Sequence, residues 1–162
     1  MGDGTIKGRV FTVGHGTRPL DQLVALLAEH GVTQLVDVRQ FPRSRRNPQF
    51  NLEALTAELP RQGVTLAWLG EDLGGLRPGG YQAWMATAAF QRGLAQLEGL
   101  AQRQVTAVMC SESLWVRCHR RFIARQLVAR GYPVTHLLQV GKEGDEEGAP
   151  TQAQFALSVN SG

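Results

Sequence analysis

Five short runs rich in β-branched and other apolar residues alternate with segments in which apolar residues recur every three or four positions. The runs are residues 10–13, 34–38, 64–69, 105–109 and 134–138. Short apolar runs of this kind are typical of buried strands, whereas spacings of three and four are typical of a helix with one buried face. Strands that alternate with helices favour a mostly parallel sheet. We therefore predict an α/β fold: a single-domain, three-layer, Rossmann-like architecture with about five strands and helices on both faces of the sheet.

The alternation also predicts which strand ends lie together. Right-handed crossovers with one reversal of direction favour the strand order 3-2-1-4-5. In that order the carboxyl end of the first strand lies beside that of the fourth, at the crevice where such folds bind ligands. We therefore expect polar residues that follow different strands to line one cleft.

Length and composition fit one soluble domain. A chain of 162 residues, with 43% hydrophobic and 19% charged residues, can bury a core without disulfides or metals. No apolar run approaches the length of a membrane span, and the polar start does not resemble a signal peptide. We therefore expect a cytoplasmic protein with free thiols and no membrane partner. We assign residues 1–140 to the α/β domain and residues 141–162 to an acidic, poorly ordered tail.

Both cysteines of the chain lie in the segment after the fourth strand. Cys110 and Glu112 follow that strand, and Cys118, His119 and Arg120 stand where the next helical pattern begins. A helix N-terminus and nearby arginines favour a thiolate, so Cys118 is a candidate nucleophile, with Cys110 as the second. Glu112 is a candidate general acid or base, His119 a candidate for proton transfer and Arg120 a candidate anion ligand. A second interpretation stays open, in which both cysteines only pack in the core.

Two glycines flank a histidine at the carboxyl end of the first strand. Gly14 and Gly16 permit a tight turn whose backbone N–H groups can approach an anion. His15 is a candidate for proton transfer, and the alternative is a residue that only stabilises the turn. Thr17 is the predicted N-cap of the next helix, which Gly31 ends.

The second strand leads into a loop that is rich in arginine. Asp37 ends the strand, and Arg39, Arg43 and Arg46 follow with no acidic residue among them. Arginine matches phosphate or carboxylate with two parallel hydrogen bonds, so these side chains predict an anion site. For Asp37 three roles stay open: orienting an arginine, acting as a general base, or binding a metal. The alternative interpretation is a solvated basic loop in which Asp37 only forms a local salt bridge.

A loop with five glycines follows the third strand. It spans residues 70–80 and is predicted to be the most mobile part of the domain. Two interpretations stay open, a lid over the site and a long surface turn.

Four separated motifs resemble the DUF488 family. They are Val13-Gly14-His15-Gly16-Thr17, Val36-Asp37-Val38-Arg39-Gln40-Phe41-Pro42-Arg43-Ser44, Leu73-Gly74-Gly75, and Cys110 with Glu112 ahead of Cys118-His119-Arg120. The resemblance extends in order over residues 10–140. It implies the same α/β fold and a site formed by these motifs, and it implies no particular reaction.

The convergence of these groups predicts an enzyme that acts on a phosphate-bearing small molecule, a nucleotide or a nucleic-acid fragment, with no cofactor. A non-catalytic nucleic-acid-binding module is the first alternative, because the arginines form basic stripes. A metal site built from Cys110, Cys118, His119 or His15 with Asp37 is the second. Since adjacent residues on a helix point about 100° apart, we expect Cys118 and His119 not to act on one atom together.

Overall fold

The computed structural model describes residues 7–112, 118–139 and 142–145. The strands are Val10–Gly14 (β1), Gln34–Asp37 (β2), Thr65–Trp68 (β3), Thr106–Cys110 (β4), Val134–Gln139 (β5) and Lys142–Asp145 (β6). The α-helices are Leu20–Glu29 (α1), Leu52–Glu58 (α2), Gly70–Leu73 (α3), Tyr81–Met85 (α4), Ala88–Ala101 (α5) and Arg120–Ala129 (α6). Two 3₁₀ turns, Pro48–Phe50 and Leu59–Gln62, flank α2.

These strands form one sheet in the order β3-β2-β4-β1-β5-β6. β1 to β5 are parallel, and β6 pairs antiparallel with β5. The predicted α/β class and the mainly parallel sheet are confirmed, as is the pairing of β1 with β4. The predicted order 3-2-1-4-5 is wrong at its centre, because β4 lies between β2 and β1.

The packing around the middle of β4 fits this order. Ala107 of β4 is paired with Leu35 of β2 on one side and with Phe11 of β1 on the other. A small residue between two large ones lets both pack on the same face of the sheet. Because β1, β2 and β4 are all completely buried, their composition does not distinguish one central strand from another.

The core lies on both faces of the sheet. On one face Ala107 and Met109 pack in a cluster with leucines of α1 and α2. On the other face Val108 and Cys110 pack in a cluster with apolar residues of α5 and α6. This alternation along β4 follows the two-residue period of a strand, and it gives the three layers that the sequence predicts.

The helix ends agree with the sequence in part. Gly31 follows α1 with φ of 69°, the left-handed conformation expected of a glycine that ends a helix. The predicted N-cap at Thr17 is wrong, because α1 starts at Leu20 and Pro19 occupies the N-cap position. Asn51 occupies the N-cap position of α2, but its side chain accepts a hydrogen bond from the Ser44 N–H at 2.7 Å. It therefore holds the arginine loop instead of capping the helix.

The chain continues the sheet beyond β5. Lys142–Asp145 were predicted to belong to the poorly ordered tail, but they form β6. The remainder of the predicted tail, residue 141 and residues 146–162, lies outside the described residues. Among the helices of the described ranges, none has the length and apolar character needed to cross a membrane.

We predict opposite effects for two glycines of the same helix. A Cβ at Gly93 would lie 2.7 Å from Asp72 Cβ and 3.0 Å from Leu73 Cγ, whereas a Cβ at Gly99 would meet no atom within 4 Å. Gly99→Ala should raise the free energy of unfolding by about 0.5–1 kcal/mol, since alanine favours a helix interior. Gly93→Ala should lower it by about 1–3 kcal/mol through overpacking against α3. Urea denaturation measures both, and equal effects at the two positions would contradict this packing.

Candidate functional site

A cleft of about 770 Å³ lies at the carboxyl ends of β1, β2 and β4. Parallel strands bring their carboxyl ends to one edge of the sheet, so residues distant in sequence meet there. Eight of the predicted site residues line the cleft: His15, Gly16, Arg39 and Arg43 from the loops after β1 and β2, and Cys110, Glu112, Cys118 and His119 from the segment after β4.

The other four predicted residues do not line the cleft. Gly14 is buried at the end of β1, and Asp37 is completely buried. Arg46 is exposed on the loop surface outside the cleft. Arg120 is completely buried in the first turn of α6, and its charge only partly opposes the rise that burial causes in the pKa of Cys110. The sequence analysis placed all four residues in the predicted site, and the structure places them outside the lining of the cleft.

Cys118 and His119 contact each other on the cleft wall. His119 is the N-cap residue of α6, so both side chains precede the helix. The Sγ atom of Cys118 lies 3.5 Å from Nδ1 of His119. Our prediction that the two residues point apart is wrong, because it assumed helical geometry that begins only at Arg120.

The His119 ring is held in one orientation. Nε2 lies 3.1 Å from the carbonyl oxygen of Val38, and since a carbonyl only accepts, Nε2 donates. Nδ1 is therefore the nitrogen that faces the sulfur. Gly75 packs against the ring on the cleft side: a Cβ there would lie 3.0 Å from Nδ1. The Leu73-Gly74-Gly75 motif thus keeps a close contact with the thiol–imidazole pair.

The two thiols have opposite acidities. The pKa of Cys118 is lowered to about 4, chiefly because the Cys110 thiol donates a hydrogen bond to its sulfur, with further contributions from His119 and the Arg120 N–H. That N–H belongs to the first turn of α6 and lies 3.4 Å from Sγ. Burial raises the pKa of Cys110 well above its ordinary value. Cys118 is therefore the thiolate and Cys110 the thiol that stabilises it.

His15 is a neutral hydrogen-bonding residue. Its Nε2 lies 3.2 Å from Nη1 of Arg39, which can only donate, so Nε2 accepts and Nδ1 donates to the Gly16 carbonyl at 2.7 Å. Burial lowers the pKa of His15 to about 4, an effect that the Gly16 carbonyl partly opposes. The ring also stacks on Phe50, with centroids 4.4 Å apart. Both ring nitrogens are engaged, which favours our alternative of a turn-stabilising residue over proton transfer.

Asp37 orients Arg39, one of the three roles left open by the sequence. Its carboxylate accepts from Nε of Arg39 at 2.8 Å and from Nη2 at 2.7 Å. Nη2 also donates to the Phe50 carbonyl at 2.7 Å. Asp37 acts on the cleft only through this guanidinium, and its carboxylate oxygens are occupied.

The backbone donors of the glycine turn are also occupied. The N–H of His15 donates to the Cys110 carbonyl at 2.9 Å, and the N–H of Gly16 donates to the Ser111 carbonyl at 3.0 Å. The prediction that these groups hold an anion is therefore wrong. They join the turn after β1 to the segment that carries the cysteines.

The glycine-rich loop is held by arginine contacts. Arg77 donates to the carbonyls of Gly74 and Gly70 at 2.8 and 3.3 Å, and its guanidinium lies 3.9 Å from the centroid of the Trp84 ring. Gly75 and Leu76 from this loop line the cleft. The loop is thus a packed wall of the site in this structure.

Sequence reasoning missed Tyr81, which was assigned to a helical apolar stripe. Tyr81 lines the cleft, its ring centroid lies 5.2 Å from that of His119, and its hydroxyl donates to the Leu73 carbonyl at 2.7 Å. The available signal was its place directly after Gly79 and Gly80. A tyrosine that begins a helix at a glycine-rich loop lies at the edge of the packed core, within reach of a site.

No group of three or more potential metal ligands occurs among the residues that the structure describes. A family model described as "Domain of unknown function DUF488" matches residues 19–127. The comparisons with curated proteins and with solved structures found no match.

The neutral state of His15 predicts a pH dependence of stability. Its folded pKa of about 4 lies below the ordinary value of 6.5, so below pH 6.5 the unfolded chain binds a proton that the folded protein does not. Stability should therefore fall as the pH drops from 6.5 towards 4. Between pH 7 and pH 5 the wild type should lose about 2 kcal/mol more than His15→Gln. Urea denaturation at the two pH values measures this, and equal losses would contradict a neutral His15.

The thiolate state of Cys118 predicts its reactivity. Alkylation by iodoacetamide, followed by mass spectrometry of the modified peptide, should have a constant rate from neutral pH downward and fall only as the pH approaches 4. His119→Gln and Cys110→Ala each remove a stabilising partner, so each should move the inflection to higher pH. A wild-type inflection near pH 9, the ordinary thiol value, would refute this assignment.

Proposed function

Since the chain belongs to the DUF488 family, whose description assigns no activity, we propose its function from the geometry of the cleft. We propose an enzyme in which Cys118 is the nucleophile and the substrate is a phosphate-bearing small molecule or nucleotide. The observation that carries the proposal is the contact between Cys118 and His119 beside the first turn of α6.

The environment of Cys118 supports the nucleophile. A thiolate is far more nucleophilic than a thiol, and hydrogen bonds, a helix N-terminus and a nearby histidine are the usual means of forming one. All three act on this sulfur. The residue is only 7% exposed and lines the cleft. A substrate would therefore reach it through the cleft.

His119 supplies the proton transfer. The thiolate attacks an electrophilic centre, and the bond to the leaving group breaks. In the doubly protonated ring Nε2 donates to the Val38 carbonyl, and Nδ1 of His119 passes its proton to the departing atom. Cys110 stabilises the thiolate in the resting state, and its thiol stays beside the Cys118 sulfur in the covalent intermediate. Glu112 also lines the cleft, and in this proposal its carboxylate activates the water that releases the product.

The loop after β2 supports a phosphate ligand. Arg43 lines the cleft together with the polar side chains of Ser44 and Asn47. Its ion pair with Glu53 is exposed, with side-chain exposures of 74% and 63%. Exposed pairs of this kind contribute little energy, so a phosphate can compete for the guanidinium.

The non-catalytic nucleic-acid-binding alternative has less support. Two of its predicted contact residues, Arg39 and Arg120, are 6% and 0% exposed and cannot reach a polymer backbone. A metal site has less support as well, because the Asp37 oxygens bind Arg39.

Protection of Cys118 by inorganic phosphate tests the proposal. Millimolar phosphate should slow iodoacetamide alkylation of Cys118 several-fold compared with chloride at the same ionic strength. Arg43→Ala should abolish this protection. Arg45→Ala, which removes an exposed arginine outside the cleft, is the matched control and should retain it. Equal alkylation rates in phosphate and in chloride would contradict phosphate binding, and loss of protection in both variants would assign it to net charge.

A further inference from the structure

Two large apolar side chains are exposed at the cleft. Phe41 is 68% exposed and Leu76 is 83% exposed, and both line the same cavity as Cys118. Within the described ranges, the other exposed large apolar residues, Trp68 and Val105, do not line it. A single exposed leucine is ordinary on a protein surface, so exposure alone does not decide the matter.

The backbone of Leu76 makes it unusual. Its φ is 61°, and it is the one non-glycine residue with positive φ in the part of the chain that the structure describes. The other positive-φ positions, among them Gly79 and Gly80 in the same loop, are all glycine. A leucine in this conformation costs about 1–2 kcal/mol compared with glycine. A strained residue that buries so little of its own side chain suggests a function for that side chain.

The strain is maintained by the contacts on either side. Gly75 packs against the His119 ring, and Arg77 is bound to the Gly70 and Gly74 carbonyls and stacks on Trp84. With both neighbours fixed, the loop presents Leu76 at the cleft.

Phe41 is held in a similar way from the other loop. Its carbonyl accepts from the Arg43 N–H at 2.9 Å, and the carbonyl of the next residue, Pro42, accepts from the Leu52 N–H at 3.0 Å. The backbone is therefore anchored while the ring stays in solvent. It stands two residues before Arg43, so the same loop brings an apolar side chain and the guanidinium proposed to bind phosphate to the cleft.

We propose that Phe41 and Leu76 are specificity-determining residues that bind an aromatic ring of the substrate. The inference rests on the proposed function and narrows its substrate class to phosphate compounds that carry an aromatic ring, such as nucleotides and aryl phosphates. The ring packs against Phe41 and Leu76, and the phosphate lies toward Arg43 and Cys118. Aromatic stacking and the loss of exposed apolar surface supply the binding energy.

Two alkylating reagents test the ring site on the same sulfur. Iodoacetamide and N-phenyl iodoacetamide both form an S–C bond with Cys118 and release iodide, and only the second carries a ring. The rate of each reagent with Cys118 is divided by its rate with glutathione, which removes its intrinsic reactivity. The ratio of the two normalised rates, phenyl reagent over iodoacetamide, should be about ten for the wild type. Phe41→Ala and Leu76→Gly should each bring the ratio close to one. Val105→Ala, which trims an exposed apolar residue outside the cleft, should leave it unchanged.

The results separate this inference from the proposed function. A rapid iodoacetamide reaction with a wild-type ratio near one would overturn the ring site and leave the nucleophile standing. If Cys118 reacts with neither reagent, the proposed nucleophile fails, and fluorescence of 8-anilinonaphthalene-1-sulfonate then decides the ring site. Binding of that dye lost in Phe41→Ala and Leu76→Gly but kept in Val105→Ala would support the inference, and equal binding in all would overturn it.

Leu76→Gly also tests the strain. Glycine adopts positive φ without penalty, so this variant should unfold at a higher urea concentration than the wild type while its rate ratio falls. If the stability and the rate ratio both fall, Leu76 has a packing role, and its part in the ring site is overturned.

Discussion

The site depends on one buried ion pair, Asp37 with Arg39. The two side chains are 0% and 6% exposed, and a charge pair removed from water is stable only when its remaining hydrogen-bonding groups are satisfied. Arg39 meets this condition, because it also donates to the Phe50 carbonyl and to His15. Since Phe50 lies at the far end of the loop after β2 and His15 lies in the loop after β1, the pair fixes both ends of one loop and joins it to a second at the same edge of the sheet. The shape of the cleft follows from that arrangement.

Two thiols in the same cleft differ in chemistry because their hydrogen bonds differ. Cys110 is 2% exposed at the end of a core strand, where burial favours the neutral thiol. Cys118 is almost as buried, but its sulfur receives hydrogen bonds from Cys110, from the Arg120 N–H and from the histidine beside it. A buried thiol thus becomes the donor that stabilises a buried thiolate. The cleft combines this reactive group with exposed apolar side chains from two anchored loops. In the enzyme that we propose, this combination would separate the chemical step from the recognition of the rest of the substrate.

Much of the site was predictable from local patterns. The residues after β1, β2 and β4 were expected to meet, and eight of the twelve line one cleft. The errors share a physical origin. The glycine turn was expected to offer its N–H groups to a ligand, but the turn donates them to the carbonyls of Cys110 and Ser111. Cys118 and His119 were expected to diverge, but they precede the first helical turn and touch. In each case the role of the polar group depends on the partner that it contacts, and the spacing of residues in the sequence does not predict that partner.

The sequence by itself determined the α/β class, the succession of strands and helices, and the polar residues that stand at strand ends. These properties depend on periodicity and turn residues within a few positions of one another. Only the tertiary structure decided that β4 lies between β2 and β1, that Asp37 belongs to Arg39, and that Cys118 is the charged sulfur. The reason is that a guanidinium, an amide or a thiol can bind any of several partners, and the nearby sequence does not determine which one. Asp37 and Arg39 are only two positions apart, as are Cys118 and Arg120, but distant segments fix their geometry. Arg39 also contacts His15, 24 residues away, and His119 contacts Val38, 81 residues away, because the sheet brings these segments together.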